Sequence, residues 1–240
     1  MTSSAAEERH SPQRVALAWG VHVLTASGGV IGMAALLAAG AGDLRAAALL
    51  MLAALAIDSV DGTLARAARV TEVVPRIDGR RLDDIVDYLN YVIVPAVFLV
   101  AAGSLLHWGF AAAPVLASAF GFAQTDAKTD DHFFLGWPYY WNVVALYLWG
   151  LDVPPALGTV VVLAFAAAVF VPLKYVYPSR MHALRRTTTI GGALWLLVLA
   201  AAFLDPDGSS REPLLRASLV FPLYYFGVSL WLGGLHRRSP

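Results

Sequence analysis

The sequence predicts an all-α fold: a polytopic integral membrane helix bundle of about eight transmembrane helices. Three observations predict it. Of 240 residues, 58% are hydrophobic and only 14% are charged, against roughly 25% charged in an ordinary soluble domain. Mean hydropathy is positive, at +0.64. The apolar residues also gather into separate runs, at 15–40, 43–65, 83–105, 109–124, 138–150, 154–173, 189–204 and 214–235. A helix crossing ~30 Å of hydrocarbon needs about 20 apolar residues. Most of the runs qualify, while 138–150 and 189–204 are short. The chain is continuous in character and carries no clear internal repeat. It therefore reads as one membrane domain over 15–235, with an N-terminal segment 1–14 and a tail 236–240.

Charge bounds the function. Seventeen basic and seventeen acidic residues cancel, so no global field favours nucleic acid. Cysteine is absent, which removes disulfides, thiolate metal sites and Cys nucleophiles. The six histidines are scattered and suggest no metal cluster. Met1 to Arg14 is polar and of mixed charge, so no cleavable signal peptide is expected. Basic residues in loops set orientation. With the N-terminus inside and eight spans, Arg9, Arg14, Arg66, Arg69, Arg76, Arg80, Arg81, Lys128, Lys174, Arg180, Arg185, Arg186, Arg237 and Arg238 fall inside. Arg45, Arg211 and Arg216 fall outside. An odd number of spans would strand Arg237 and Arg238 on the wrong side. Both termini are therefore expected in the cytoplasm.

One stretch stands out in this apolar chain. It reads Asp58-Ser-Val-Asp61-Gly62-Thr-Leu-Ala65-Arg66, then twelve residues, then Gly79-Arg-Arg-Leu-Asp83-Asp84-Ile-Val-Asp87. Acidic residues at membrane depth are costly and mark a site by default. Asp58 and Asp61 are three apart, and Asp83 and Asp87 four apart, so each pair shares a helix face. The topology brings both pairs to the cytoplasmic edge of the bilayer. Four carboxylates cannot all stay ionised in one space without a compensating charge. Hard divalent cations supply it, and two of them suit in-line displacement on a diphosphate. Gly62 and Ala65 let a ligand approach the backbone, and Arg66 suits a phosphate. Each part has a plainer reading. Small residues pack neighbouring helices, and Arg66, Arg80 and Arg81 also serve as topology signals.

These residues resemble the signature of the CDP-alcohol phosphatidyltransferase family, D-x-x-D-G-x-x-A-R, a spacer, G-x-x-x-D-x-x-x-D. All eight defined positions are present: Asp58, Asp61, Gly62, Ala65, Arg66, Gly79, Asp83 and Asp87. The twelve-residue spacer 67–78 is longer than usual in the family, and in this the chain is most similar to the bacterial phosphatidylcholine synthase branch. So are the eight spans around a six-helix family core, the Asp131–Asn142 run, and the His22–Gly28 stretch with its Thr25. The resemblance implies transfer of a phosphatidyl group from CDP-diacylglycerol to choline, giving phosphatidylcholine and CMP, at the bacterial inner membrane. It implies two divalent cations, Mn²⁺ or Mg²⁺, one on Asp58, Asp61 and Asp83, the other on Asp58, Asp83 and Asp87. Asp87 would also be the general base. Gly62, Ala65, Arg66, Gly79 and Thr25 would line the CDP-diacylglycerol site. Dimers occur in the family, so a homodimer follows by analogy.

A quaternary ammonium is recognised by aromatic faces. Tyr91, four residues after Asp87, shares its face, and Trp137, Tyr139, Tyr140 and Trp141 open the fifth helix. Tyr91, Tyr140 and Trp141 are the candidate choline contacts. Tyr175 and Tyr177 lie in another inner loop. Trp and Tyr also gather at membrane interfaces as anchors. Three other functions share parts of the pattern. An acceptor such as inositol phosphate, glycerol phosphate or serine would want a cationic pocket, to which Lys128 and Arg180 are available. Intramembrane prenyl transfer uses Asp-rich helices but not Gly62, Ala65, Arg66 and Gly79 at this spacing. A cation transporter would carry its acidic residues nearer the midplane.

Overall fold

The computed structural model describes residues 11–127, 129, 131, 133–178, 180, 181, 183–205 and 208–234. Most of the 1–14 segment, the 236–240 tail, Lys128 and His132 lie outside the described residues, as do the topology signals Arg9, Arg237 and Arg238.

Helix α1 spans Pro12–Gly40. Ser11 caps it by accepting from the Arg14 N–H, and Pro12 suits the first turn, where its missing N–H costs nothing. Helix α2, Leu44–Ala67, is capped by Asp43, which accepts from the Ala46 N–H at 2.9 Å. The buried face of α1 carries Thr25, Gly28, Gly32, Ala35 and Ala39. Small side chains let helices approach closely where lipid offers no hydrophobic drive. Both α2 and the third span pack on α1.

The long spacer after α2 is structured. Arg69 turns the chain in the left-handed region (φ 49°), and the short helix α3, Val70–Val73, follows. Val70 and Val74 bury against Ala18 and Val21 of α1. Asp78 then accepts from the Arg80 and Arg81 N–H groups and starts α4, Gly79–Tyr88. A π-helical turn at Leu89–Ile93 joins α4 to α5, Val94–Ala101, so the third span is interrupted beside the aspartates. Such turns recur at functional sites.

The rest of the chain forms α6 (Ala112–Ala123, after a 3₁₀ turn at Trp108–Ala111), α7 (Trp141–Gly150), α8 (Pro155–Ala168), α9 (Arg185–Leu204), α10 (Arg211–Ser218) and α11 (Val220–Leu232). Every predicted apolar run contains a helix. The chain is a polytopic helical membrane protein. Five helical stretches are long and apolar enough to cross: Pro12–Gly40, Leu44–Ala67, Gly79–Ala101, Arg185–Leu204 and Arg211–Leu232. The other three are shorter, and not all are the ones expected. The run at 189–204 lengthens because its polar lead, Arg185 to Thr189, is also helical. The run at 154–173 ends at Ala168. The run at 138–150 starts only at Trp141, because Pro138 and a left-handed Tyr139 (φ 60°) precede it.

The segments flanking these two runs build a feature the sequence did not predict, a two-stranded antiparallel sheet. Strand β1, Phe133–Leu135, pairs with β2, Lys174–Val176, with Phe134 opposite Tyr175. Aromatic and branched residues favour such pairing. Gly136 makes the exit possible: its φ is +82°, and a Cβ there would run into the Val169 carbonyl. The sheet is seated on the end of α11, where the Lys174 N–H donates to Gly234 O at 2.9 Å and the Val176 N–H to Ser229 Oγ at 3.2 Å. At the opposite end, Arg45 at the start of α2 donates to the Phe203 and Leu204 carbonyls ending α9. The Arg211 guanidinium stands 5.2 Å from the Trp149 ring centre. The α2 terminus, the α4 start, the α7 start and the sheet thus share one end of the bundle.

Candidate active site

At that end, the last turns of α2 present Asp58 and Asp61, and α4 presents Asp83 and Asp87. One carboxylate oxygen from each of Asp58, Asp83 and Asp87 lies within 4.8 Å of the other two. Asp87 and Asp58 are hydrogen-bonded to each other. Two carboxyl groups in such contact need a proton or a cation between them. Three hard oxygen donors from two antiparallel helices fit a divalent metal ion. Asp61 stands outside this close group. It is buried, and its Oδ2 accepts from Thr25 Oγ1 of α1 at 2.7 Å. Thr25, all four aspartates and Tyr91 line one narrow pocket, and the Tyr91 hydroxyl donates to Asp58 Oδ2 at 2.6 Å.

The remaining motif residues sit on neighbouring turns rather than in the pocket lining. Gly62 and Arg66 are exposed. The Arg66 guanidinium donates to Thr63 Oγ1 at 3.0 Å and lies along Gly62, where a Cβ would come within 3.4 Å of Nη1. Ala65 is half-buried at the edge of the Val70–Val74 cluster. Gly79 leaves the space beside it to the His22 ring; a Cβ would come within 3.1 Å of His22 Cε1.

The three aromatic candidates separate. Tyr91 and Tyr140 stand together, with ring centres 6.1 Å apart and planes at 60°. Trp141 faces elsewhere: it is fully buried, donates from Nε1 to Ser118 Oγ at 2.8 Å, and packs on Trp137. The tyrosine row continues instead into distant parts of the chain. Tyr225 of α11 lies 5.9 Å from Tyr140 at 76° and is hydrogen-bonded to it. Tyr175 of β2 lies 6.5 Å from Tyr225. The Tyr225 hydroxyl donates to the Val176 carbonyl at 3.1 Å, so the sheet holds the far end of the row.

Two further residues, to which the sequence assigns no role, stand beside the site. Asn90 is buried in the π-helical turn. Its Nδ2 donates to Gly28 O at 3.0 Å, and its Oδ1 lies against Gly32, where a Cβ would collide with it. An Asn three residues after Asp87, facing a Gly-x-x-x-Gly stripe on α1, was the available signal. His22 is buried against Gly79; its signal in the sequence is that it opens the His22–Gly28 stretch, one turn before Thr25. Outside the spans, the Asp131 carboxyl is held below the usual range by its hydrogen bond from Lys174, at 2.7 Å.

No family model matches the chain. Individual proteins do. It is 44% identical over 177 residues to the phosphatidylcholine synthase of Legionella pneumophila, covering 72% of this chain and 69% of that protein. It is 34% identical over 224 residues to the phosphatidylcholine synthase of Pseudomonas aeruginosa, covering 92% and 94%. With the phosphatidylcholine synthase of Borreliella burgdorferi it shares 35% over 218 residues, covering 89% and 92%. On alignments of this identity and coverage the chain belongs to the phosphatidylcholine synthase family.

Proposed function

We propose that the chain condenses CDP-diacylglycerol with choline to give phosphatidylcholine and CMP. The observation that carries this reading is the carboxylate group of Asp58, Asp83 and Asp87 with a tyrosine row beginning at Tyr91 directly beside it.

The choline hydroxyl is a poor nucleophile at neutral pH. As its oxygen attacks the β-phosphorus, the Asp87 carboxylate takes its proton, and the bond from that phosphorus to the bridging oxygen breaks, so CMP leaves. Two divalent cations, Mn²⁺ or Mg²⁺, held by Asp58, Asp61 and Asp83 and by Asp58, Asp83 and Asp87, would neutralise the diphosphate and the charge gathering on the leaving oxygens. Thr25 orients Asp61 by its hydrogen bond. Tyr91 orients Asp58 in the same way. Gly62, Ala65, Arg66 and Gly79 border the nucleotide side, with Arg66 free to turn from Thr63 to a phosphate.

Choline brings no hydrogen-bond donor on its cationic head, so aromatic faces and carboxylates are its natural partners. Tyr91 and Tyr140 take that role, with Tyr225 and Tyr175 extending the wall. Adjacent walls of a cation box, each about 4.5 Å from the cation and near perpendicular, have centres roughly 6 Å apart. Tyr91–Tyr140 and Tyr140–Tyr225 have that spacing. The reading includes one transmembrane catalytic domain over 15–235 in a bacterial inner membrane. The distribution of Lys and Arg supports a cytoplasmic site and cytoplasmic termini.

Purified protein in lipid, given CDP-diacylglycerol and Mn²⁺ or Mg²⁺, is expected to release CMP only with choline. The panel includes inositol phosphate, glycerol phosphate and serine. Release with one of these instead, or release without any alcohol, overturns the choline assignment.

A further inference from the structure

His22 is the one described residue with a fully buried side-chain polar atom, Nε2, that lacks a hydrogen-bond partner. Only 6% of the residue is exposed. An orphaned buried nitrogen is costly, and native structures rarely keep one without a use. Its surroundings give the use. The imidazole lies against Gly79, the first residue of α4, and any side chain at position 79 would press on it. It is one turn before Thr25, which holds Asp61. Gly79 is one of the residues assigned above to the nucleotide side, and its contact with the ring puts His22 there. The tyrosine row begins instead at Tyr91, in the pocket lining beside the aspartates.

The helix α4 start adds to this. A helix N-terminus carries partial positive charge and favours an anion. Asp78 occupies the Arg80 and Arg81 N–H groups. The ring that lies against Gly79 keeps its Nε2 unpartnered, a polar atom the protein itself does not use.

We propose that His22 is a substrate-binding residue whose Nε2 donates a hydrogen bond to the cytidine diphosphate part of the lipid substrate. This rests on the CDP-diacylglycerol reading above and deepens it. Packing alone would use the ring's shape and its edge contact with Trp19, 6.2 Å between centres, but would not use Nε2.

The test is binding of soluble CDP, CMP, cytidine and inorganic pyrophosphate to the full-length protein in nanodiscs with Mn²⁺, read by calorimetry. His22→Gln, His22→Asn and His22→Leu are compared with the unaltered chain. A Gln amide nitrogen reaches close to the Nε2 position, and an Asn amide nitrogen close to Nδ1. His22→Leu is expected to weaken CDP about 10-fold or more, the cost of a hydrogen bond to a charged group. Gln should restore most of it, and Asn should not. A loss shared by CDP, CMP and pyrophosphate assigns the contact to phosphate; a loss shared by CDP, CMP and cytidine assigns it to the base. In the CMP-release assay, the KM for CDP-diacylglycerol should rise while the KM for choline stays within 2-fold.

Unchanged CDP binding in His22→Leu overturns the proposal, as does equal loss in Gln and Leu when both melt at the unaltered temperature. If Leu fails to fold, the contrast between Gln and Asn decides. If the unaltered chain binds none of the cytidine compounds, the CDP-diacylglycerol reading itself fails, an outcome distinct from any difference among the His22 variants.

Discussion

The aspartate cluster and the tyrosine row meet at Asp58 and Tyr91, yet they are built in opposite ways. The four aspartates come from 30 consecutive residues, on two helices joined by a short structured spacer. The row comes from residues 91, 140, 175 and 225, on four elements that meet only once the bundle has closed. A cluster from neighbouring helices is set by register, and its members answer to each other directly. A row from distant elements depends on packing throughout the second half of the chain. The first suits chemistry, where atoms must be held closely; the second suits recognition of a broad, weakly directional cation.

This contrast can be broken most sharply at Asp87. Asp87→Asn keeps the volume and removes the base, so kcat for CMP release is expected to fall about 10²- to 10⁴-fold, with the melting temperature kept or raised. Near-normal turnover would take the chemistry away from the aspartate cluster. The next effect is smaller and falls on the row. Tyr91→Ala and Tyr225→Leu should each raise the KM for choline by roughly 3- to 30-fold, the range of a cation–aromatic contact. The KM for CDP-diacylglycerol should move less. Equal shifts in both constants would mean that the row supports the fold and not choline. For Tyr91, a parallel fall in kcat is expected, because it also holds Asp58.

The smallest effect is at the sheet that seats the far end of the row. Asp131 is paired with Lys174, and its pKa lies below the usual value of 3.8. A depressed carboxylate contributes stability above its unfolded pKa, and the contribution is lost as pH falls through the folded value. Amide protection at 133–135 and 174–176 should therefore be retained at neutral pH and decline below about pH 4. Asp131→Asn should show the weaker protection at neutral pH too, by a few-fold only, since the Asp131 side chain is largely exposed. Protection indifferent to both changes would separate the ion pair from the sheet.

Legibility in the sequence followed the same divide. Spacing of three and four residues placed Asp58 with Asp61 and Asp83 with Asp87 before any contact was known, because a helix has one period. The same rule joined Tyr91 to Asp87, although the intervening backbone proved to be a π-helical turn. It failed at Trp141, next in chain to Tyr140, because at a helix start adjacent residues point apart and Ser118 engages the indole. Tyr225 looked like one more apolar-span residue. Asn90 went unnoticed and His22, although it opens the His22–Gly28 stretch, was given no role, since a single polar residue within a span gives no pattern.

The sequence by itself determined the membrane class, the places of the helices and the carboxylate faces. These follow from local properties: apolar run length, helical period and the cost of charge in hydrocarbon. Only the tertiary structure decided that Asp61 is held by Thr25 apart from the close triad, that the segments flanking two short spans pair as strands, and that the tyrosine row draws on α11 and β2. Those depend on which surfaces meet after the chain has folded back several times, and no local period records that.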